Sequence, residues 1–351
     1  MNPLHLKNLA KILSLAWLIL SISGIAQAAI EERETTDWTS FEQEGEGLSE
    51  TDARKLEEQL QVDPENLAPR AKLLGYYFLK MADSVQAREA RQAHCLWIIE
   101  NRPESNIASD AYIELDPQRD RGAYSRAKKL WLQNIQARNG NLKILRNAAK
   151  FFLRNDSALA EDLLKKAQAL EPDNPDWNEK LGELYNLDDK FEKSLAQYEE
   201  ALKKTDRSSQ WTLLEDASAV AFEAGMTETA QVYATELLKL AANEPRNWDY
   251  ENAFHHGNII LGRVALKSGN MDEARERLLK AGRVRGSPQL SSFGPNMSLA
   301  KDLLEKGEKE TVLKYFALCG VFWKSGKADL ETWTADVNDD KMPRFGANLH
   351  Y

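Results

Sequence analysis

The stretch LGELYNLDDKFEKSLAQYEEAL, residues 181–202, decides the fold of this chain. Its small residues, Gly182 and Ser194, stand where two helices can cross closely, and its large residues, Tyr185 and Tyr198, can fill the space beside the crossing. The polar run NLDD separates the two halves and is typical of a turn. The stretch therefore predicts two amphipathic helices that pack against each other.

The same pattern recurs with a period of 34 residues. When residues 175–208 are aligned with residues 141–174 without a gap, Gly182 falls on Ala148. One such helix pair cannot bury its apolar face alone, so neighbouring copies are expected to stack. The clearest copies occupy residues 141–174, 175–208, 255–288 and 293–323.

This pattern resembles the tetratricopeptide repeat (TPR), in which a Leu-Gly pair, spaced aromatic residues and small alanines return every 34 residues. The resemblance implies an all-α fold, a right-handed helical-repeat solenoid. We expect the array over residues 54–323, followed by a capping helix and a tail over residues 324–351. Leu330, Trp333 and Val337 fall on one face of that helix, as a cap over the last repeat requires.

The N-terminus predicts export. Lys7 and Lys11 precede an apolar segment, and Ala26-Gln27-Ala28 is a small-x-small cleavage pattern, so residues 1–28 read as a signal peptide. The alternative is an uncleaved anchor, although polar residues dilute the second half of the segment. We therefore expect a periplasmic or secreted protein. Residues 29–53 are acidic without helical periodicity, which predicts a flexible lead-in.

Charge narrows the class of partner. The chain carries a formal net charge of −9, and loss of Lys7 and Lys11 leaves 44 basic against 55 acidic residues, a net charge of −11. Nucleic acids and anionic membrane surfaces attract basic proteins, so neither is the expected main partner. No later segment approaches the roughly 20 apolar residues of a membrane span. The pattern does not specify the oligomeric state.

The sequence predicts neither a metal site, nor a cofactor, nor a catalytic centre. His255 and His256 are adjacent and would diverge on a helix. Residues 336–340 have calcium-loop spacing, but Lys341 replaces the required Gly and Ala347 the required Glu. Many acidic residues could pair as acid and base, yet on helices they more often form a solvated face.

Only two cysteines are present, Cys95 and Cys319. An exported protein can join such a pair as a disulfide. We favour two separate buried thiols, because the repeat places them on helices of the first and last units.

The resemblance to TPR proteins implies a concave groove lined by the first helix of each repeat, which would receive a peptide or a partner helix. The lysine and asparagine pattern by which some TPR proteins hold a terminal carboxylate is absent here. We expect a non-enzymatic scaffold or adaptor that binds a protein or peptide. The alternative is a helical-repeat enzyme, or a ligand carrier, acting on cell-envelope polymers or lipids. The predicted groove residues are Tyr76, Leu145, Phe152, Glu179, Glu183, Phe222, Arg263 and Lys301.

Two segments depart from the period, residues 104–122 and 243–255. Long irregular segments in a compact array are uncommon unless they have a function. Tyr112 in the first, and Trp248 with its neighbours in the second, could anchor a partner. The alternative is that each segment folds back over a repeat edge. The C-terminal tail, which contains Phe345, could likewise either bind a partner or pack over the capping helix.

Overall fold

A computed structural model describes residues 37–349 of the 351-residue chain. The described residues form 17 α-helices and no β-strand, which confirms the all-α prediction. The predicted signal peptide, residues 29–36 of the lead-in and the last two residues lie outside the described part. None of the helices between residues 37 and 349 combines the length and apolar character that crossing a membrane requires.

The chain forms two compact units that divide between Ala167 and Gln168. The helices up to this boundary are α1 (Trp38–Glu46), α2 (Glu50–Val62), α3 (Leu67–Lys80), α4 (Val85–Asn101), α5 (Arg121–Ala137), α6 (Leu142–Phe152) and α7 (Ser157–Leu170), the last of which contains the boundary. Two short 3₁₀ turns, Asn106–Ser109 and Ala111–Ile113, stand between α4 and α5.

The second unit continues in the same style. Its helices are α8 (Pro175–Leu187), α9 (Phe191–Lys204), α10 (Trp211–Glu223), α11 (Thr227–Asn243), α12 (Tyr250–Lys267), α13 (Met271–Ala281), α14 (Pro288–Ser292), α15 (Ser298–Leu304), α16 (Lys309–Phe322) and α17 (Lys327–Asn338), and short 3₁₀ turns occur at Arg207–Ser209 and Gly346–Leu349. Consecutive helices pack from α8 to α13, and α10 also packs against α12. Such contacts between alternate helices make the packing repeat-like.

The turns inside the helix pairs of the second unit share one backbone feature. Gly225, Gly269 and Gly307 have φ of 78°, 81° and 85°, and Asp189 occupies the corresponding turn with φ of 56°. Glycine adopts this left-handed conformation without steric cost, and aspartate is among the few other residues that tolerate it. The equivalent turn therefore ends each first helix in the same way.

Small residues permit close helix crossings, as the sequence predicted. The hydroxyl of Ser194 on α9 donates a buried hydrogen bond of 2.7 Å to the carbonyl of Gly182 on α8. A Cβ atom on Gly182 would lie 2.9 Å from the Tyr198 ring. A Cβ atom on Gly262 of α12 would lie 2.2 Å from Leu299 Cδ2 on α15. Both crossings therefore depend on the absence of a side chain.

The prediction of a flexible lead-in is wrong for residues 38–46, which form α1. This helix packs on α3, and the two glycines at the crossing bring the backbones together. A Cβ atom on Gly45 would lie 1.9 Å from the Lys72 carbonyl oxygen, and one on Gly75 would lie 1.8 Å from the Glu42 carbonyl oxygen. The contact is made by backbone rather than by spaced apolar side chains, so hydrophobic periodicity could not reveal it.

The interface of α1 with α3 also buries a carboxyl group. Glu42 is fully buried, and neither of its carboxyl oxygens has a hydrogen-bond partner that satisfies geometric criteria. Burial, with Asp110 as the second cause, raises the pKa of Glu42 to about 9. Glu42 is therefore uncharged at neutral pH, which lowers the cost of its burial.

The irregular segment 104–122 folds back onto its own unit. Asn147 on α6 donates hydrogen bonds from Nδ2 to the carbonyl oxygens of Pro103 and Ser105, at 2.9 and 3.0 Å. Arg91 on α4 donates from Nη2 to the Tyr112 carbonyl at 2.8 Å, and the Tyr112 hydroxyl donates to Glu46 at 2.6 Å. Tyr112 is thus engaged within the unit, in agreement with the covering alternative.

The other departures from the period behave differently. Residues 244–249 form turns and α12 then begins at Tyr250, so the second insert lengthens a first helix. Trp248 remains 64% exposed. The Phe345 ring of the tail is buried and lies 5.1 Å from the Trp333 ring of α17. The tail therefore packs on the last helices.

The face predicted for the C-terminal helix is buried, since Leu330, Trp333 and Val337 of α17 all lie in the core. Cys95 and Cys319 are both free thiols and both buried. The favoured interpretation of the cysteines is confirmed.

Candidate functional site

The three predicted groove residues of the first unit lie in its core instead. Tyr76, Leu145 and Phe152 expose 7%, 1% and 0% of their surface. Tyr76 packs with residues of α2, and the Phe152 ring lies 6.5 Å from the ring of Tyr124 on α5. The placement of these residues in an open groove is corrected, because α2 and the segment after α4 cover the helices that carry them.

The second unit contains an open groove of about 590 Å³. Two predicted residues, Arg263 and Lys301, line it, and the predicted Phe222 lies under the Arg263 guanidinium at 4.2 Å. Glu179 and Glu183 do not line the groove, but their charges act on Asp216, which does. Of the five predicted residues in the second unit, two therefore line this groove, and Glu179, Glu183 and Phe222 do not.

Successive first helices supply the groove walls at helical spacing. On α10 the lining residues include Glu215, Ala219 and Glu223, four positions apart. On α12 they include His256 and Arg263, seven positions apart. Residues three, four and seven positions apart share one face of a helix, so one stripe of each helix faces the groove. The same helices bury their other faces in the core of the unit.

The basic side of the groove is already neutralised within the protein. Arg263 donates from Nε to Asp302 at 2.7 Å and from Nη1 to Glu223 at 2.6 Å, and only 15% of its side chain is exposed. Lys301 lies 3.6 Å from Glu305. Arg263 therefore ties α12 to α10 and α15, and its charge is not open to a ligand.

The acidic side of the groove centres on two consecutive residues of α10. Burial raises the pKa of Glu215 to about 8, and the charge of Asp249 adds to this shift. Burial also raises the pKa of Asp216 well above its ordinary range, with Glu215 as the next cause. Lys180 opposes the shift of Asp216, but its own ammonium group lies 3.2 Å from Glu183. At neutral pH Glu215 is therefore held largely protonated, and the pKa of Asp216 is shifted in the same direction.

The histidine pair lies on α12 opposite these acids. His256 Nε2 lies 3.4 Å from Glu215 Oε1, and burial lowers the pKa of His256 to about 4. The contact therefore joins two neutral groups rather than an ion pair at neutral pH. In the fully buried His255, Nδ1 is 2.9 Å from the Ala281 carbonyl oxygen and Nε2 accepts from the Asn296 amide at 3.0 Å. Both nitrogens of His255 are thus engaged.

Within residues 37–349, no group of three or more His, Cys, Asp or Glu side chains could hold a metal ion. A larger depression of about 790 Å³ lies between α16 and α17, lined mainly by apolar residues such as Phe316, Trp323 and Leu330. None of its polar lining residues is buried, so they offer no desolvated group that would orient a ligand; these residues are Lys324, Lys327, Glu331, Thr334 and Asn338. The groove of the second unit is therefore the candidate site.

Sequence reasoning missed Asp216 as a groove residue and considered His256 only as a metal ligand. The signal that could have found them is the acidic pair within α10, whose other residues are mostly apolar. No protein-family model matches this chain, and no curated protein matches it either.

Proposed function

We propose that this protein is an exported, non-enzymatic scaffold or adaptor that binds an extended peptide or a helix of a partner protein in the groove of its second unit. In this proposal the repeats are TPR-like and right-handed, α17 caps the array, and residues 1–28 direct export. The observation that carries the proposal is the open groove, whose walls come from the equivalent faces of α10, α12 and α15.

The repeat architecture supports this function. The 34-residue period and the left-handed turns at equivalent positions are features of stacked helix pairs. Stacked helix pairs present extended surfaces that bind other polypeptides. The groove combines apolar, acidic and basic side chains, as interfaces with proteins commonly do.

The alternative of an enzyme acting on envelope polymers has less support. Glycoside hydrolysis typically uses two carboxyl groups that face each other across a cleft, about 5 to 9.5 Å apart. Glu215 and Asp216 are neighbours on one helix, so both belong to one wall and their side chains diverge by about 100°. They do not flank a position where a scissile bond could lie between them.

The test is affinity capture from cell-envelope extracts with residues 29–351, followed by mass spectrometry. Ala219→Trp adds bulk inside the groove, and Ala196→Trp adds the same bulk at an exposed position on α9. We expect a partner that is captured by wild type and by Ala196→Trp but lost with Ala219→Trp. Circular dichroism must show that both variants fold. Equal capture by all three proteins, or capture of no partner, would overturn the proposal.

A further inference from the structure

We propose that the groove of the second unit selects a cationic side chain, a lysine or arginine of the partner peptide, and seats its charged end against Glu215 and Asp216. This inference rests on the proposed function of the groove and names the chemistry of its partner. It is carried by the charge balance of the groove walls and by the apolar residues that lie beside the two carboxyl groups.

The first step is the charge balance. Arg263 pairs with both Glu223 and Asp302, so its one positive charge is shared by two carboxylates, and Lys301 pairs with Glu305. Within the described part of the second unit, no Lys or Arg nitrogen lies within 4 Å of Glu215 or Asp216. The charge of Lys180 acts on Asp216 from a greater distance, but its ammonium group already contacts Glu179 and Glu183. The acidic side of the groove therefore lacks a cation in contact.

The second step is the surroundings of the two carboxyl groups. Their neighbours add further negative charge and no unshared positive charge. The hydroxyl of Tyr198 on α9 is neutral, and so is His256 on α12. The titratable and charged groups that face the pair are Glu179, Lys180 and Glu183 from α8, Tyr198 from α9, Asp249 before α12, and His256 and Arg263 from α12.

The third step is the fit of a long side chain. The groove walls beside the carboxyl groups include Val220, Ile259 and Ile260. Lysine and arginine side chains place their methylene stems on apolar surface while the charged end reaches a polar partner. An acidic peptide would gain no such contact, and it would approach the carboxylates of Asp189, Glu223 and Asp302 on the same walls. A wholly apolar peptide would reduce the access of the two carboxyl groups to water and offer them no further polar partner, which is unfavourable.

The proposal has a consequence for pH. Glu215 is largely protonated at neutral pH because burial raises its pKa to about 8, and burial raises the pKa of Asp216 as well. A seated cation favours the ionised form and lowers the pKa, so binding releases protons. Affinity for a cationic peptide should then rise with pH, by up to about tenfold per pH unit below pH 8 for each proton released.

The test uses three peptides of equal length, acetyl-(Gly-Lys)₄-amide, acetyl-(Gly-Gln)₄-amide and acetyl-(Gly-Glu)₄-amide, and calcium chloride alone. Isothermal titration calorimetry at pH 6 and pH 8, in buffers of different ionisation enthalpy, gives the affinity and the protons released. The groove variant is Glu215→Gln with Asp216→Asn. The control is Glu192→Gln with Glu200→Gln, which removes the same charge from exposed positions on α9.

We expect the lysine peptide to bind wild type and control alike, more tightly at pH 8 with proton release, and the groove variant to lose at least tenfold in affinity. Equal binding by the groove variant would mean non-specific attraction and would overturn the inference, as would affinity that falls with pH. Calcium binding that depends on Glu215 would overturn it in favour of a metal site.

If the glutamine or glutamate peptide binds and Ala219→Trp abolishes that binding, the proposed groove function stands and the cation inference fails. If no peptide binds at millimolar concentration, the cation inference fails, and the capture experiment judges the groove independently.

Discussion

Glu215 should make the protein less stable as the pH rises, and Glu215→Gln should remove that loss. A carboxyl group whose pKa is raised by folding contributes its full stability below the unfolded pKa, 4.5, and loses it as the pH rises through the folded pKa, about 8. Asp216 acts in the same direction. The carboxamide has the shape of the protonated acid but cannot ionise, so the variant keeps its stability at high pH.

The size of the effect follows from the shift. A shift from 4.5 to about 8 corresponds to about 5 kcal/mol, at roughly 1.4 kcal/mol per pKa unit, once the group is fully ionised. Because 28% of the Glu215 side chain is exposed, solvent screening reduces the expected effect to about 2 kcal/mol. We expect Glu215→Gln to change stability little at pH 5 and to raise it by about this amount at pH 8.5.

The assay is urea unfolding at both pH values, followed by far-UV circular dichroism and tryptophan fluorescence, to which the buried Trp211 of α10 contributes. The control is Glu200→Gln on the exposed surface of α9. A hydrogen bond from Lys203 lowers the pKa of Glu200, so its ionised form stabilises the fold and its removal should weaken the protein slightly at pH 8.5. The reasoning about Glu215 is refuted if Glu215→Gln gains no stability between pH 5 and pH 8.5 relative to wild type.

Three further predictions concern the core. Phe152→Ala should cost about 3 to 5 kcal/mol in urea unfolding, since the ring is fully buried, so that a change of less than about 1 kcal/mol would contradict its burial. Gly262→Ala should lower stability by about 1 to 3 kcal/mol in thermal unfolding, because its Cβ would meet Leu299, and an unchanged melting temperature would contradict the close crossing. Cys95 and Cys319 are buried, and burial raises the pKa of Cys95 to about 11, so both thiols should react with Ellman's reagent only as the protein unfolds in urea; rapid reaction in buffer would contradict this.

Periodicity predicted the helix pairs because their apolar and small residues recur at spacings that packing requires. Gly182 and Ser194 lie at a close crossing as expected, and the turn at residue 189 has the conformation that ends its first helix. The helical register also placed Arg263 and Lys301 on the groove wall. These are local properties of a repeat, so the sequence of one unit is enough to reveal them.

The rest could not be predicted because it depends on segments that break the period. Leu145 and Phe152 have the register of groove residues, but the packing of neighbouring segments on their unit buries them. The acidic pair at Glu215 and Asp216 looks like a solvated face in the sequence. Only the packing of α10 within its unit reveals that these carboxyl groups are partly shielded from water and lack a Lys or Arg in contact.

The glycine crossing of α1 with α3 bears on how the protein can be shortened for expression. The periodic region begins near residue 54, so periodicity alone predicts that trimming there removes only an irregular leader. It would instead strip α1 from α3 and expose the backbone surface at Gly75 to water. It would also remove Trp38, which is buried against the unit. A shortened version should therefore begin before residue 37, so that the first unit keeps the helix that covers it.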